Sequence, residues 1–80
     1  MTMMTKERLG TALKSMDGVS EVKVIEDRRL IAIVVSPRFE GQNEAVRQAQ
    51  VWRHLQQQFV DEELQRVEFV FTQTPTERAA

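Results

Sequence analysis

Leu9, Ala12, Leu13 and Met16 recur at helical spacing while Glu7, Arg8, Thr11, Lys14 and Ser15 fill the other side, so an amphipathic helix is expected from Thr5 onward. Asp17 and Gly18 end it, because a residue without a Cβ readily takes the left-handed conformation that closes helices. Val22 and Val24 then alternate with Glu21 and Lys23, the period-two pattern of a half-buried strand. The polar run Glu26, Asp27, Arg28, Arg29 separates this strand from Leu30 to Val35, which is rich in β-branched residues and apolar on both parities. Such a run suits a central strand joined to the first as a hairpin. Ser36 and Pro37 stop it, since proline cannot donate to a ladder, and a loop is expected to Gln42.

Asn43 is a good N-cap for a second, longer helix. On it Ala45, Ala49, Val51, Trp52, Leu55 and Phe59 form one apolar arc interrupted by Gln48, and Arg47, Gln50, Arg53, His54 and Gln57 take the opposite side. Asp61, Glu62 and Glu63 ahead of Leu64 read as the first turn of a short third helix, where carboxylates meet the positive end of the helix dipole. Val67, Phe69 and Phe71 alternate with Glu68, Val70 and Thr72 as a third strand. Residues 1–4 and 73–80 carry no pattern and are expected to be disordered tails of a single domain spanning 1–80.

The expected class is therefore α+β: a three-stranded mixed sheet with helices on one face, in the order α-β-β-α-α-β. The hairpin makes strands one and two antiparallel, and the long crossover through the second helix lets strand three run parallel to strand two.

Composition narrows the chemistry. Eighty residues without cysteine form no disulfide, thiolate ligand or cysteine nucleophile, so packing alone must hold a thin core. The longest apolar run, Leu30 to Val35, falls well short of the roughly 20 residues a membrane helix needs, and a soluble, cytoplasmic protein is expected. A net charge of −1 gives no global attraction to nucleic acid, although Arg28, Arg29, Arg38, Arg47 and Arg53 cluster between residues 28 and 60. His54, the sole histidine, lies on the polar side of its helix and reads as a surface residue, while Trp52 shares the apolar arc and reads as core. The acidic run from Asp61 to Glu63 reads as a helix start, because consecutive side chains diverge around a helix turn. No Ser-His-Asp set, phosphate-binding loop or zinc spacing is present, and the expectation is a protein that is not an enzyme and carries no cofactor or metal.

The segment from Leu30 to Phe59 resembles the BolA-like family, whose fold is similar to type II KH domains. The family's Val-Val-Ser strand end, Phe, acidic residue, Gly and capped helix are matched by Val34, Val35, Ser36, Phe39, Glu40, Gly41 and Asn43, with Arg38 ahead of the phenylalanine. Arg47, Val51, Trp52 and Leu55 follow the family's helix pattern of Arg, Val, aromatic and Leu. The resemblance implies a non-catalytic adaptor or regulatory domain acting through protein contacts, with a glutaredoxin-like partner, as a monomer or weak dimer. Its contact surface is expected at Arg38, Phe39, Glu40, Gly41, Arg47, Arg53 and His54, on the Ser36 to Asn43 loop and the polar face of the second helix. Phe39 either tucks beneath that helix or shapes the partner surface. The family's histidine near the start of the last strand, implicated in iron–sulfur ligation, is replaced by Glu68 between Val67 and Phe69, and Arg28 and Arg29 stand where a second ligand often lies. The rival is a KH-like nucleic-acid binder using Arg28, Arg29, Arg38, Arg47 and Arg53, expected to bind weakly because the Gly-X-X-Gly grip of KH modules is missing.

Overall fold

A computed structural model describes residues 3–80; Met1 and Thr2, part of the expected amino-terminal tail, lie outside the described residues. Helix α1 spans Lys6–Lys14 and is capped by Thr5, whose Oγ1 accepts from the Arg8 N–H at 3.1 Å. Strands β1, Glu21–Asp27, and β2, Arg29–Val35, form the hairpin, and a single 3-10 turn at Pro37–Phe39 leads to helix α2, Glu44–Gln58. Helix α3, Asp61–Leu64, strand β3, Val67–Gln73, and helix α4, Pro75–Ala79, complete the chain.

The sheet order is β1-β2-β3, with β2 central, antiparallel to β1 and parallel to β3, as the pattern predicts. The hairpin is tight: Asp27 pairs with Arg29, and Arg28 between them takes a left-handed φ of 64°. On the β3 side Leu30 opposes Val67 but Ile31 opposes Phe69, so Glu68 is the extra residue of a bulge. That bulge reverses the parity of the strand. Val67, Val70 and Thr72 share the helix-covered face with Leu30, Ala32 and Val34, whereas Phe69 and Phe71 lie with Ile31 and Ile33 on the opposite face. The simple alternation read from the sequence groups Val67 with the two phenylalanines; the bulge separates them.

Between the helices and the sheet lies the core, built from Leu9, Ala12 and Leu13 of α1, Leu30, Ala32 and Val34 of β2, Val51 and Leu55 of α2, and Val67 and Val70 of β3. Two corrections concern α2. Ala45 and Ala49 are exposed, and the buried stripe instead starts at Arg47 and continues through Val51 and Leu55, with Trp52 partly buried beside it. The long arginine stem fills the first position of that stripe, which a binary reading of polar and apolar residues misses.

Both ends of the described chain are built into the fold where tails are expected. Met4 is buried to 1% exposure in the core. Gln73 belongs to β3, and α4 starts with a reciprocal capping box: Thr74 Oγ1 accepts from the Glu77 N–H at 3.1 Å and Glu77 Oε1 accepts from the Thr74 N–H at 2.8 Å. Pro75 sits in the first turn, where its missing N–H costs nothing.

Candidate functional site

Where α1 ends, the chain must turn sharply into β1, and Gly18 does so with φ 85°. A Cβ there would meet the Arg38 side chain at 2.5 Å, so this glycine also lets Arg38 lie across the turn and pair with Asp17 at 2.8 Å. Ser36 ties the two loops together. Its buried Oγ donates to the Gly18 carbonyl at 3.0 Å and accepts from the Arg38 N–H at 3.1 Å, capping the 3-10 turn. The hydrophobic side of that turn, Phe39, is 2% exposed beneath α2.

A groove of about 530 Å³ results between these loops and α2, with Met16, Asp17, Arg38, Gln50, Arg53 and Gln57 on its walls and Phe39 and Ser36 beneath. Gln50, Arg53 and Gln57 stand three and four residues apart on one face of α2. Arg53 is exposed and enters none of the ion pairs formed among the described residues. His54 closes one end, half-buried rather than on the open surface, with Nε2 2.8 Å from the Ala12 carbonyl and 2.9 Å from Ser15 Oγ. It tethers α2 to the last turn of α1.

Of the seven residues expected at a contact surface, the groove brings together Arg38, Phe39, Arg53 and His54. Glu40 and Gly41 are exposed outside it. The placement of Arg47 is a correction: it is 8% exposed and turned away from the groove, locked into the carboxyl-terminal helix. Its guanidinium donates to Glu77 Oε1 at 2.8 Å and Oε2 at 3.2 Å, and Nε donates to the Gln42 carbonyl at 2.9 Å. The Phe39 ring lies 5.7 Å from its Cζ. The Arg47 guanidinium, helped by the Thr74 N–H, holds the Glu77 carboxyl below the usual carboxylate range, and Glu77 in turn raises Arg47. Phe39 likewise resolves to the buried alternative. The sequence reading also missed Asp17, whose part depends on the α1–β1 turn folding back on the Arg38 loop.

At the far end of the sheet a second polar cluster surrounds the hairpin. Arg66 Nη1 donates to the Arg28 carbonyl at 3.0 Å, Nε to the Met4 carbonyl at 3.1 Å, and Nη2 pairs with Glu26. Arg29 donates to the Gln65 carbonyl and, at 3.4 Å, to that of Val67. Glu68 is exposed in the adjacent bulge. The arginines of the nucleic-acid reading are thus dispersed. Arg28 and Arg29 sit at one end of β2, Arg38 and Arg53 beyond the other, about 20 Å away for a seven-residue strand, and Arg47 is internal.

No family model matches the chain and no curated relative matches it at a significant level. Solved structures do. A BolA protein homologue from Coxiella burnetii is 26% identical over 98% of this chain and 100% of its own, with a TM-score of 0.69. A Bol-like protein from Babesia bovis is 24% identical over 98% of this chain and 93% of its own, at 0.72. The chain has a BolA-like fold. BolA1 from Arabidopsis thaliana agrees, at 21% identity over 90% of this chain and 93% of its own, with a TM-score of 0.70. The likeness extends over nearly the whole BolA-like chain, so it includes β3 and the terminal segments as well as the stretch from Leu30 to Phe59. No helix among the described residues is long and apolar enough to cross a membrane.

The iron–sulfur chemistry associated with the BolA-like family asks for thiolate or imidazole donors. Here the β1–β2 hairpin and the start of β3 offer arginines and the hard carboxylate of Glu68, the sequence has no cysteine, and His54 is bound to α1 at the opposite end. These residues do not fit a cluster.

Proposed function

We propose that this chain is a non-catalytic BolA-like adaptor or regulatory domain that works through protein contacts in the groove between α2, the α1–β1 turn and the Ser36–Asn43 loop. The observation that carries this reading is the groove itself: exposed Arg53 and Gln57, with half-buried Gln50, face the Asp17–Arg38 pair across a half-apolar floor. That mixture of half-buried Met16 and Val19 with arginine and amide groups fits a polypeptide better than a small substrate, which would need an enclosed apolar cavity. Both walls are held from below by Ser36 and Phe39, so the surface is preformed. A protein of the glutaredoxin class is the first partner to try, through contact alone and with no ligand supplied from this chain to a cluster.

The test is capture from native lysate on the wild-type chain and on Arg53→Glu, with Glu62→Lys on the far side as control. A partner retained by the wild type and the control but lost from Arg53→Glu supports the reading. Equal capture by all three places the contact elsewhere. Nucleic acid is measured alongside by fluorescence anisotropy at two salt concentrations. With Arg28 and Arg29 at one end of β2, Arg38 and Arg53 at the other and Arg47 buried, no more than two of the five share a surface, so the slope of log affinity against log salt on duplex DNA should not exceed about −2, with Kd weaker than about 10 μM at physiological salt. Submicromolar, sequence-dependent binding would make the arginine reading primary.

A further inference from the structure

The helices cover one face of the sheet and leave the other bare. Because directly paired residues share a face, the register places Ile25, Ile31, Ile33, Phe69 and Phe71 together there. Ile25 is 42% exposed, Phe69 44% and Phe71 49%, and the two phenylalanine rings meet edge to face with centroids 4.5 Å apart. The Glu68 bulge puts them there, since without it both rings would point into the core. Charges bound this apolar centre on the β1 side and at the hairpin end: Glu21 and Lys23 precede Ile25 on β1, and Asp27 and Arg29 close the hairpin end.

We propose that this face is a homodimer interface, the sheets of two copies packed face to face about a two-fold axis parallel to β2. The charge pattern selects this arrangement. An axis across the strands would set the Lys23 ammonium against Ile25 of the second copy, an unpaired charge on an aliphatic side chain, and Glu21, already paired with Arg78, against Asp27. The parallel axis sets each β1 over the β3 of its partner, so that Ile25 meets Phe69 and the Lys23 ammonium lies over the Phe71 ring. Arg29 leans toward β3, where it donates to the Gln65 and Val67 carbonyls, and that displacement carries its guanidinium opposite Asp27 of the second copy. Glu21 is paired with Arg78 at 3.4 Å, so with Asp27 against Lys23 and Arg29 the rim carries a single net positive charge per copy, which suits a copy of itself rather than a strongly charged partner. Sheets packed this way keep their strands within about 30° of each other, as twist requires.

The exposed area bounds the size of the contact. The five apolar side chains together expose on the order of 350 Å². At the ordinary apolar fraction of about 57%, that corresponds to an interface of roughly 1,200 Å² over both copies, the lower edge of the stable range. An interface at that lower edge, anchored by only two half-exposed aromatic rings, is expected to be weak, on the order of 10–300 μM.

Sedimentation velocity from about 10 μM to about 1 mM tests it, a range set by that affinity. The wild type should pass from monomer to dimer; Phe71→Glu should weaken association at least tenfold, and Asp27→Lys several-fold, while the control Glu62→Lys leaves it unchanged. Phe71 is half-exposed, and an unchanged amide NMR spectrum verifies that Phe71→Glu still folds. Intermolecular contacts between Ile25 methyls and the Phe69 ring in a half-labelled sample would establish the register. A chain that stays monomeric to about 1 mM overturns the proposal, as does a dimer indifferent to Phe71→Glu. Protection of Phe69 and Phe71 by a different protein, with no dimer formed, would also overturn it and assign the face to that partner.

Discussion

Single side chains set the local geometry in ways that can be measured one at a time. Arg28 holds φ 64° at the hairpin apex, where an L-residue with a Cβ pays roughly 1 kcal/mol in sterics. Its interaction with Arg66 runs through the backbone carbonyl and survives substitution. Arg28→Gly should therefore raise stability by about 0.5–1 kcal/mol, or about 2–8 °C in Tm for a chain of this size, readable by thermal denaturation. A loss would show that the arginine side chain itself holds the turn. Arg47 is the opposite case. Replacing it by methionine keeps the apolar stem but leaves the Gln42 and Thr72 carbonyls without their donor, so Arg47→Met should cost about 1–3 kcal/mol in urea denaturation. A neutral result would mean that water satisfies those carbonyls equally well.

Among the elements, the strands and long helices were legible because their pattern is long and local: β2 is apolar on both parities, and Leu9, Ala12 and Leu13 repeat at helical spacing on α1. What the pattern misreads depends on partners distant in sequence. The inward turn of Arg47 needs Glu77, thirty residues on, and the outward turn of Phe69 and Phe71 needs a bulge that only pairing with β2 reveals. Helix α4 was legible in principle, since Thr74, Pro75 and Glu77 spell a capping box with proline in the first turn. Of the groove, the Gln50, Arg53, Gln57 stripe could be read directly, but Asp17 and the half-burial of His54 required the folded α1–β1 turn. The two carboxylate clamps give this architecture an acid limit. Arg8 at 2.8 Å, with the Val60 N–H, holds Glu63 below its ordinary range, as Arg47 and Thr74 hold Glu77. As pH falls through the unfolded-chain value of about 4.3, the unfolded state takes up protons that the folded state refuses, so stability is intact above about pH 5 and declines below it. Denaturation midpoints between pH 7 and pH 3 should fall on the acid side, and Glu77→Gln should flatten part of that slope. An unchanged slope in Glu77→Gln would show that the clamp on α4 contributes nothing.

At the scale of the molecule, three surfaces are set apart by the BolA-like fold: the groove above the carboxyl end of β2, the arginine-rich hairpin corner at its other end, and the bare sheet face. The assignment of protein contact to the groove is what distinguishes an adaptor from an arginine-driven nucleic-acid binder, because the arginines of the latter are spread over both ends and the interior. Amide chemical-shift mapping of the isotopically labelled chain, titrated with a captured partner protein, tests that assignment most directly. Perturbations are expected at Asp17, Arg38, Gln50, Arg53 and Gln57 and not at Arg28 or Glu68. Perturbations centred on the hairpin and the β3 bulge, or a groove that responds to RNA and not to protein, would contradict it.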